Sequence, residues 1–167
     1  MAKTVENLKA AFAGESQANR MYLAFAKKAD EDGLTQIAKL FRAAAEAETI
    51  HALNHLRVMG QVKSTLENLG TAVSGETYEF NKMYPDFIVE AKKESNKAAL
   101  LSFNYANKVE QIHANLYQKA IDALKNKKEL PKADYYVCPV CGNTFEGNTI
   151  DICPICATLK EKFIKIF

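Results

Sequence analysis

Between residues 4 and 126, apolar side chains recur every three or four positions, the spacing that lines one face of an α-helix. Leu8, Phe12, Tyr22 and Phe25 form one such stripe. Ile37, Phe41, Ala44 and Val58 form a second, and Phe103, Ala106, Tyr117 and Leu124 another. The pattern predicts helices over Thr4 to Asp30, Leu34 to Val58, Ser74 to Ser95 and Asn96 to Asn126. Asp32-Gly33 marks the first turn, and Ser64 to Gly75 reads as a longer connection with room for a short helix. Four helices with one long middle connection suit an all-α four-helix bundle with a crossover rather than a simple meander.

The two halves of this segment resemble each other. Gly14-Glu15-Ser16 precedes Met21-Tyr22, and Gly75-Glu76-Thr77 precedes Met83-Tyr84. Phe41 precedes Glu48-x-x-His51-Ala52, and Phe103 precedes Glu110-x-x-His113-Ala114. The offset is 61 residues at Glu15/Glu76 but 62 at Tyr22/Tyr84, Phe41/Phe103, Glu48/Glu110 and His51/His113. One residue is therefore inserted between Glu76 and Met83. An insertion inside a helix predicts a π-type bulge, and Pro85 close by removes a helical hydrogen bond.

The stripes carry chemistry. Glu15, Glu48 and Glu110 stand at positions where a helix face is otherwise apolar. A desolvated carboxylate costs several kcal/mol or stays protonated, and several on one core repel each other. Divalent cations resolve that conflict, because carboxylate and imidazole are their ligands. Two Glu-x-x-His motifs plus one glutamate from each remaining helix make a two-metal site in a bundle. The set here is Glu15, Glu48 with His51, Glu76 or Glu79, and Glu110 with His113. Glu79 has no glutamate counterpart in the first half and reads as a surplus ligand. Tyr22 and Tyr84, equivalent in the repeat, are placed to hydrogen-bond a ligand carboxylate. His51 and His55 are four apart, but Ala52 occupies the place of the glutamate base in a zinc-protease helix, which excludes that motif.

Beyond Lys125 the composition changes. Asn126 to Pro131 reads as a linker, and the remainder holds all four cysteines. Cys138-Pro-Val-Cys141 and Cys153-Pro-Ile-Cys156, eleven residues apart, form two knuckles of a tetrahedral thiolate site that accepts zinc or a single iron. A piece of roughly 35 residues needs such a staple. Net charge of +2 with mixed signs lacks the basic patch of a nucleic-acid binder. The segment from Met1 to Phe12 lacks the apolar core of a secretory signal, and no run is long enough to cross a bilayer. A cytoplasmic protein is expected, where cysteines bind metal rather than pair.

These segments resemble the rubrerythrin family over nearly the whole chain. Its signatures look like Gly14-Glu15-Ser16-Gln17-Ala18, Glu48-x-x-His51-Ala52, Gly75-Glu76-x-x-Glu79, Met83-Tyr84-Pro85 and Glu110-x-x-His113-Ala114. The two Cys-Pro-x-Cys knuckles and Lys160-Glu161-Lys162-Phe163 look like its tail. The resemblance implies a ferritin-like di-iron bundle over 1–130 and a rubredoxin-like domain with one iron on Cys138, Cys141, Cys153 and Cys156 over 131–167. Zinc can replace that iron in recombinant protein. It further implies a peroxidase that reduces hydrogen peroxide to water in oxidative-stress defence. Glu48 and Glu110 would bridge the irons. Glu15, Glu76, Glu79, His51 and His113 would be terminal ligands, and one iron would move between His51 and Glu79 with oxidation state. Electrons would come from a reductase or rubredoxin-like carrier. Subunits would form a head-to-tail homodimer or higher homo-oligomer, with helix exchange in some similar proteins. One departure is Ala157, where the family has glycine after the second knuckle. Two other functions use parts of this pattern: a ferritin-type ferroxidase needs neither the cysteines nor Glu79, and a zinc-stapled interaction module needs no buried glutamates.

Overall fold

A computed structural model describes residues 3–147 and 150–167. By contacts the chain divides into two compact units, Met1–Lys63 and Ser64–Phe167.

The first unit is a helical hairpin of α1 (Lys3–Glu31) and α2 (Thr35–Val58). Gly33 closes α1 at φ +75, with Leu34 N–H donating to Ala29 O at 2.8 Å and Gly33 N–H to Asp30 O at 3.0 Å. That pair of bonds is a Schellman cap, which needs a left-handed residue and so favours glycine. The seam between the helices is built from small residues. Ala26 and Ala29 of α1 are buried, as are Ala38, Ala45 and Ala52 of α2, which recur every seven residues. Small side chains let the two backbones approach closely, so the larger residues flank the seam: Phe12, Tyr22 and Phe41 are half-buried, while Phe25, Ile37 and Val58 are exposed. Inside the seam, buried Asn19 donates from Nδ2 to Ala45 O at 2.6 Å and to Thr49 Oγ1 at 2.8 Å, tying α1 to α2 one turn from Glu15.

The second unit opens with α3 (Thr65–Tyr78), earlier than the pattern predicted. The segment expected as a connection from Ser64 is helical because Ser64 and Glu67 form a reciprocal capping box, which satisfies two orphan N–H groups. The connection between the hairpins is correspondingly short. A π segment, Glu79–Met83, follows, and then α4 (Tyr84–Lys93). Tyr84 N–H bonds Glu79 O, five residues back, so the inserted residue is absorbed as the expected bulge. Pro85 sits in the first turn of α4, directly after the π segment. The helix α5 (Lys97–Lys125) is capped by Asn96 and packs against this broken helix. The sequence repeat has a structural counterpart in each unit. Tyr22, Phe25 and Phe41 form a ring triad with centroid separations of 6.4, 6.2 and 5.6 Å. Tyr84, Phe87 and Phe103, 62 residues on, form its twin at 6.2, 6.3 and 5.5 Å.

The chain ends in a three-stranded antiparallel sheet of β1 (Tyr135–Val137), β2 (Thr144–Glu146) and β3 (Ile164–Ile166), in the order β2-β1-β3. Its core is the cysteine cluster itself: Cys138, Cys141, Cys153 and Phe145 are buried together with Val109 of α5, and Tyr105 packs against them. Phe145 stacks on Phe163 at 4.7 Å. A Lys119–Glu146 ion pair also links α5 to β2. The two knuckles repeat one hydrogen-bond pattern. Gly142 N–H donates to Cys138 O and Ala157 N–H to Cys153 O, both at 2.9 Å. Gly142 has φ +80 and Ala157 φ +60, so alanine adopts the left-handed conformation that glycine adopts in the sister knuckle.

A left-handed alanine is strained by about 1–2 kcal/mol, and glycine gives back about 0.5–1 kcal/mol of that through its more disordered unfolded state. Ala157→Gly should therefore stabilise the metal-loaded protein by about 0.5–1 kcal/mol, measured as a rise in the denaturant midpoint.

Candidate metal centres

Helical geometry brings Glu48 and His51, three residues apart on α2, onto one face. His51 Nδ1 lies 3.0 Å from Glu48 Oε2. Glu15 of α1 completes a group of three whose possible ligand atoms all lie within 4.8 Å of one another. The second unit holds the equivalent group of Glu76, Glu110 and His113. There, His113 Nδ1 lies 2.9 Å from Glu110 Oε2 and 3.8 Å from Glu76 Oε1. Six of the seven bundle ligands read from the sequence thus gather as two groups of three. Glu79, at the first residue of the π segment, stands outside the second group but beside it.

The carboxylates respond to this crowding in opposite ways. The hydrogen bond from His51, and then one involving Glu15, holds Glu48 below the usual carboxylate range, against a smaller effect of burial. Glu76 is pushed up, first by burial and then by the charge of Glu110, with His113 opposing. Glu79 is also pushed up, first by burial and then by the charge of Glu76. Burial raises Tyr84 as well, and the charges of Glu110, Glu79 and Glu76 add to it. Its hydroxyl therefore keeps its proton in the field of three carboxylates. Tyr22 packs in its aromatic triad, and its hydroxyl has no hydrogen-bond partner among the described residues.

The four cysteines are free thiols. Cys138 and Cys156 Sγ are 3.4 Å apart, Cys141 and Cys153 Sγ 3.5 Å, and all four lie within 4.8 Å of one another. A tetrahedral metal bound at about 2.3 Å holds its sulfurs at about 3.8 Å, so small outward shifts admit one ion. Burial pushes the Cys141 thiol well up. At Cys153 burial also opposes ionisation, but backbone N–H groups of Cys156 and Ile155, together with the neighbouring thiols, outweigh it and lower the pKa. Both donor sets fit metals: carboxylate with imidazole for two cations in the bundle, four thiolates for one in the tail.

Three residues here were not singled out from the sequence. Asn143 is buried and its Nδ2 lies 3.8 Å from Cys153 Sγ. Thr158 Oγ1 lies 3.0 Å from Cys156 Sγ. Thr144 Oγ1 lies 2.9 Å from His113 Nε2. Their signal is positional: each follows a knuckle by two or three residues, where a polar side chain turns back on the site.

Comparison with known proteins agrees with this geometry. The rubrerythrin family model matches residues 6–121, and the model of the rubrerythrin rubredoxin-like domain matches 136–164. The chain is 37% identical to Rubrerythrin-2 of Clostridium acetobutylicum over 97% of this chain and 96% of that one. It is 38% identical to Nigerythrin of Nitratidesulfovibrio vulgaris, covering 96% of this chain and 85% of that one. A solved structure of fully reduced, all-ferrous nigerythrin superposes with a TM-score of 0.60 at 36% identity, covering 99% of this chain and 88% of that one. Among the described residues no helix is long and apolar enough to cross a membrane. With a ferritin-like helical segment carrying paired Glu-x-x-His groups and a rubredoxin-like tail carrying four thiols, the chain belongs to the rubrerythrin family.

Proposed function

We propose that this protein is a non-haem di-iron peroxidase that reduces hydrogen peroxide to water, with electrons delivered through an iron on its four cysteines. The observation that carries the reading is the pair of Glu-x-x-His groups, each joined by a third glutamate, in one chain with a four-thiol cluster. The family's relatives support it. The division lies at about residue 130, in keeping with the separate matches over 6–121 and 136–164.

When bound, iron in the bundle supplies two electrons to break the O–O bond, and iron on the thiolates returns them singly. The residues of the chain do the rest. Glu48 and Glu110 would be the carboxylates shared between the metals, and Glu15, Glu76, Glu79, His51 and His113 would each hold one. Glu79 is the surplus carboxylate, and the π segment presents it beside Glu76. It would exchange with His51 as the charge of the site changes, because a more highly charged metal pair would favour an extra anionic ligand. Peroxide takes two electrons and two protons to give two waters. Tyr84 keeps its hydroxyl proton in the field of Glu110, Glu79 and Glu76 and is available as a donor to one of them. A reductase or rubredoxin-like carrier supplies the electrons in a reducing cytoplasm, where the four cysteines stay reduced and able to hold their metal. A homo-oligomer lets the tail of one subunit serve the bundle of another.

Two outcomes are expected. Glu79→Ala should keep its bundle iron, measured by metal analysis, and lose peroxide turnover roughly tenfold or more in a steady-state assay with a saturating electron donor. Wild-type turnover in that variant would contradict the exchange role. The metal-free protein should also lose stability with rising pH at Glu76. The raised folded pKa stabilises the fold below the ordinary value of 4.5, and this contribution is lost as pH rises through the folded value. In urea unfolding, Glu76→Gln should gain on the metal-free wild type as pH rises above the ordinary carboxylate value of 4.5. Adding a divalent metal should then favour the wild type.

A further inference from the structure

The two halves of the bundle repeat, but one contact in the second has no twin in the first. His113 turns Nδ1 toward Glu110 and Glu76, and its other nitrogen, Nε2, lies 2.9 Å from Thr144 Oγ1 on β2. Thr144 Oγ1 in turn lies 3.4 Å from Gly142 O, next to Cys141. The direction of this chain depends on what Nδ1 meets. The Glu110 carboxylate can only accept, so without a metal Nδ1 carries a proton toward it. With a cation shared with Glu76 and Glu110 on the Nδ1 lone pair, the proton is on Nε2 and is donated to Thr144 Oγ1, whose own proton points to Gly142 O. His51 has the matching contact to Glu48 at 3.0 Å, but its Nε2 has no partner among the described residues. Its side chain is 55% exposed, against 26% for His113.

Thr144 is itself firmly placed. Phe145, the next residue, is buried with the cysteines against Val109 of α5, and Glu146 pairs with Lys119. The strand therefore holds the hydroxyl at one height along α5, beside the ring of His113.

We propose that Thr144 is a positioning residue for the bundle metal site, fixing the orientation of His113 through the His113–Thr144–Gly142 hydrogen bonds. Within the di-iron reading, on which this role rests, it makes His113 the fixed histidine and leaves His51 as the one free to exchange. It also makes the bundle sensitive to the tail: the knuckle that places Gly142 and Thr144 is ordered by its cysteines, so their metal contributes to the setting of His113.

The test uses the full chain with zinc on the cysteines, comparing wild type, Thr144→Val and Thr144→Ser. Valine keeps the shape and removes the hydroxyl; serine restores it. Two readouts are independent. Long-range nitrogen–proton NMR of the bundle-empty protein should show His113 Nε2 hydrogen-bonded in wild type and Thr144→Ser. It should show that hydrogen bond lost in Thr144→Val. Titration with cobalt(II) should show bundle affinity about 10–100-fold weaker in Thr144→Val and within about threefold of wild type in Thr144→Ser. An unchanged Nε2 resonance and affinity in Thr144→Val would overturn the role, as would equal losses in both variants. If the wild-type bundle took up no cobalt, the di-iron reading would fail, and the NMR comparison would still decide the role of Thr144.

Discussion

Carboxylates crowded on helix faces repel each other, and Glu76 and Glu79 bear that repulsion. Burial, with the charge of Glu110 on Glu76 and that of Glu76 on Glu79, pushes both toward the protonated form. At that position an apolar residue would pack without cost. A cation removes the conflict, because it is attracted by every group that the others repel. The helices are therefore built around a charge they do not themselves contain. The same holds in the tail, where four thiols stand within 4.8 Å of one another and burial opposes ionisation of Cys141. Metal binding is thus coupled to the stability of both parts.

The internal repeat supplies two copies of this arrangement, and the copies differ at two points. The ring triads Tyr22-Phe25-Phe41 and Tyr84-Phe87-Phe103 match closely, as do the Glu-x-x-His pairs. The inserted residue opens the π segment and brings in Glu79, which the first half lacks. Thr144 reaches the ring of His113, and among the described residues no equivalent reaches His51. One half thereby has an extra carboxylate and a hydrogen-bonded histidine ring, and the other has a more exposed histidine.

Much of this was legible in the sequence because it rests on spacing. A three-residue step on a helix puts Glu48 with His51 and Glu110 with His113, and the change of offset from 61 to 62 located the π segment. The Cys-x-x-Cys pairs were equally plain. The start of α3 was misplaced because Gly70 and Gly75 look like loop residues. The Ser64–Glu67 capping box outweighs them, since it satisfies N–H groups that glycine merely leaves solvated. The hairpin seam was misread because large residues dominate a periodic stripe, while close backbone approach selects Ala38, Ala45 and Ala52. Thr144 was invisible for a different reason. Its partner lies 31 residues away, and no local pattern encodes a contact made by packing one domain onto a helix.

The measurement that bears most directly on the peroxidase reading is rapid-mixing oxidation of the iron-loaded, chemically reduced protein by peroxide and, separately, by dioxygen, with metal content determined on the same sample. Oxidation should be much faster with peroxide, and the bundle and thiolate-iron signals should both respond. Faster oxidation by dioxygen, or a tail that holds only zinc and stays silent, would contradict a peroxidase fed through its cysteines.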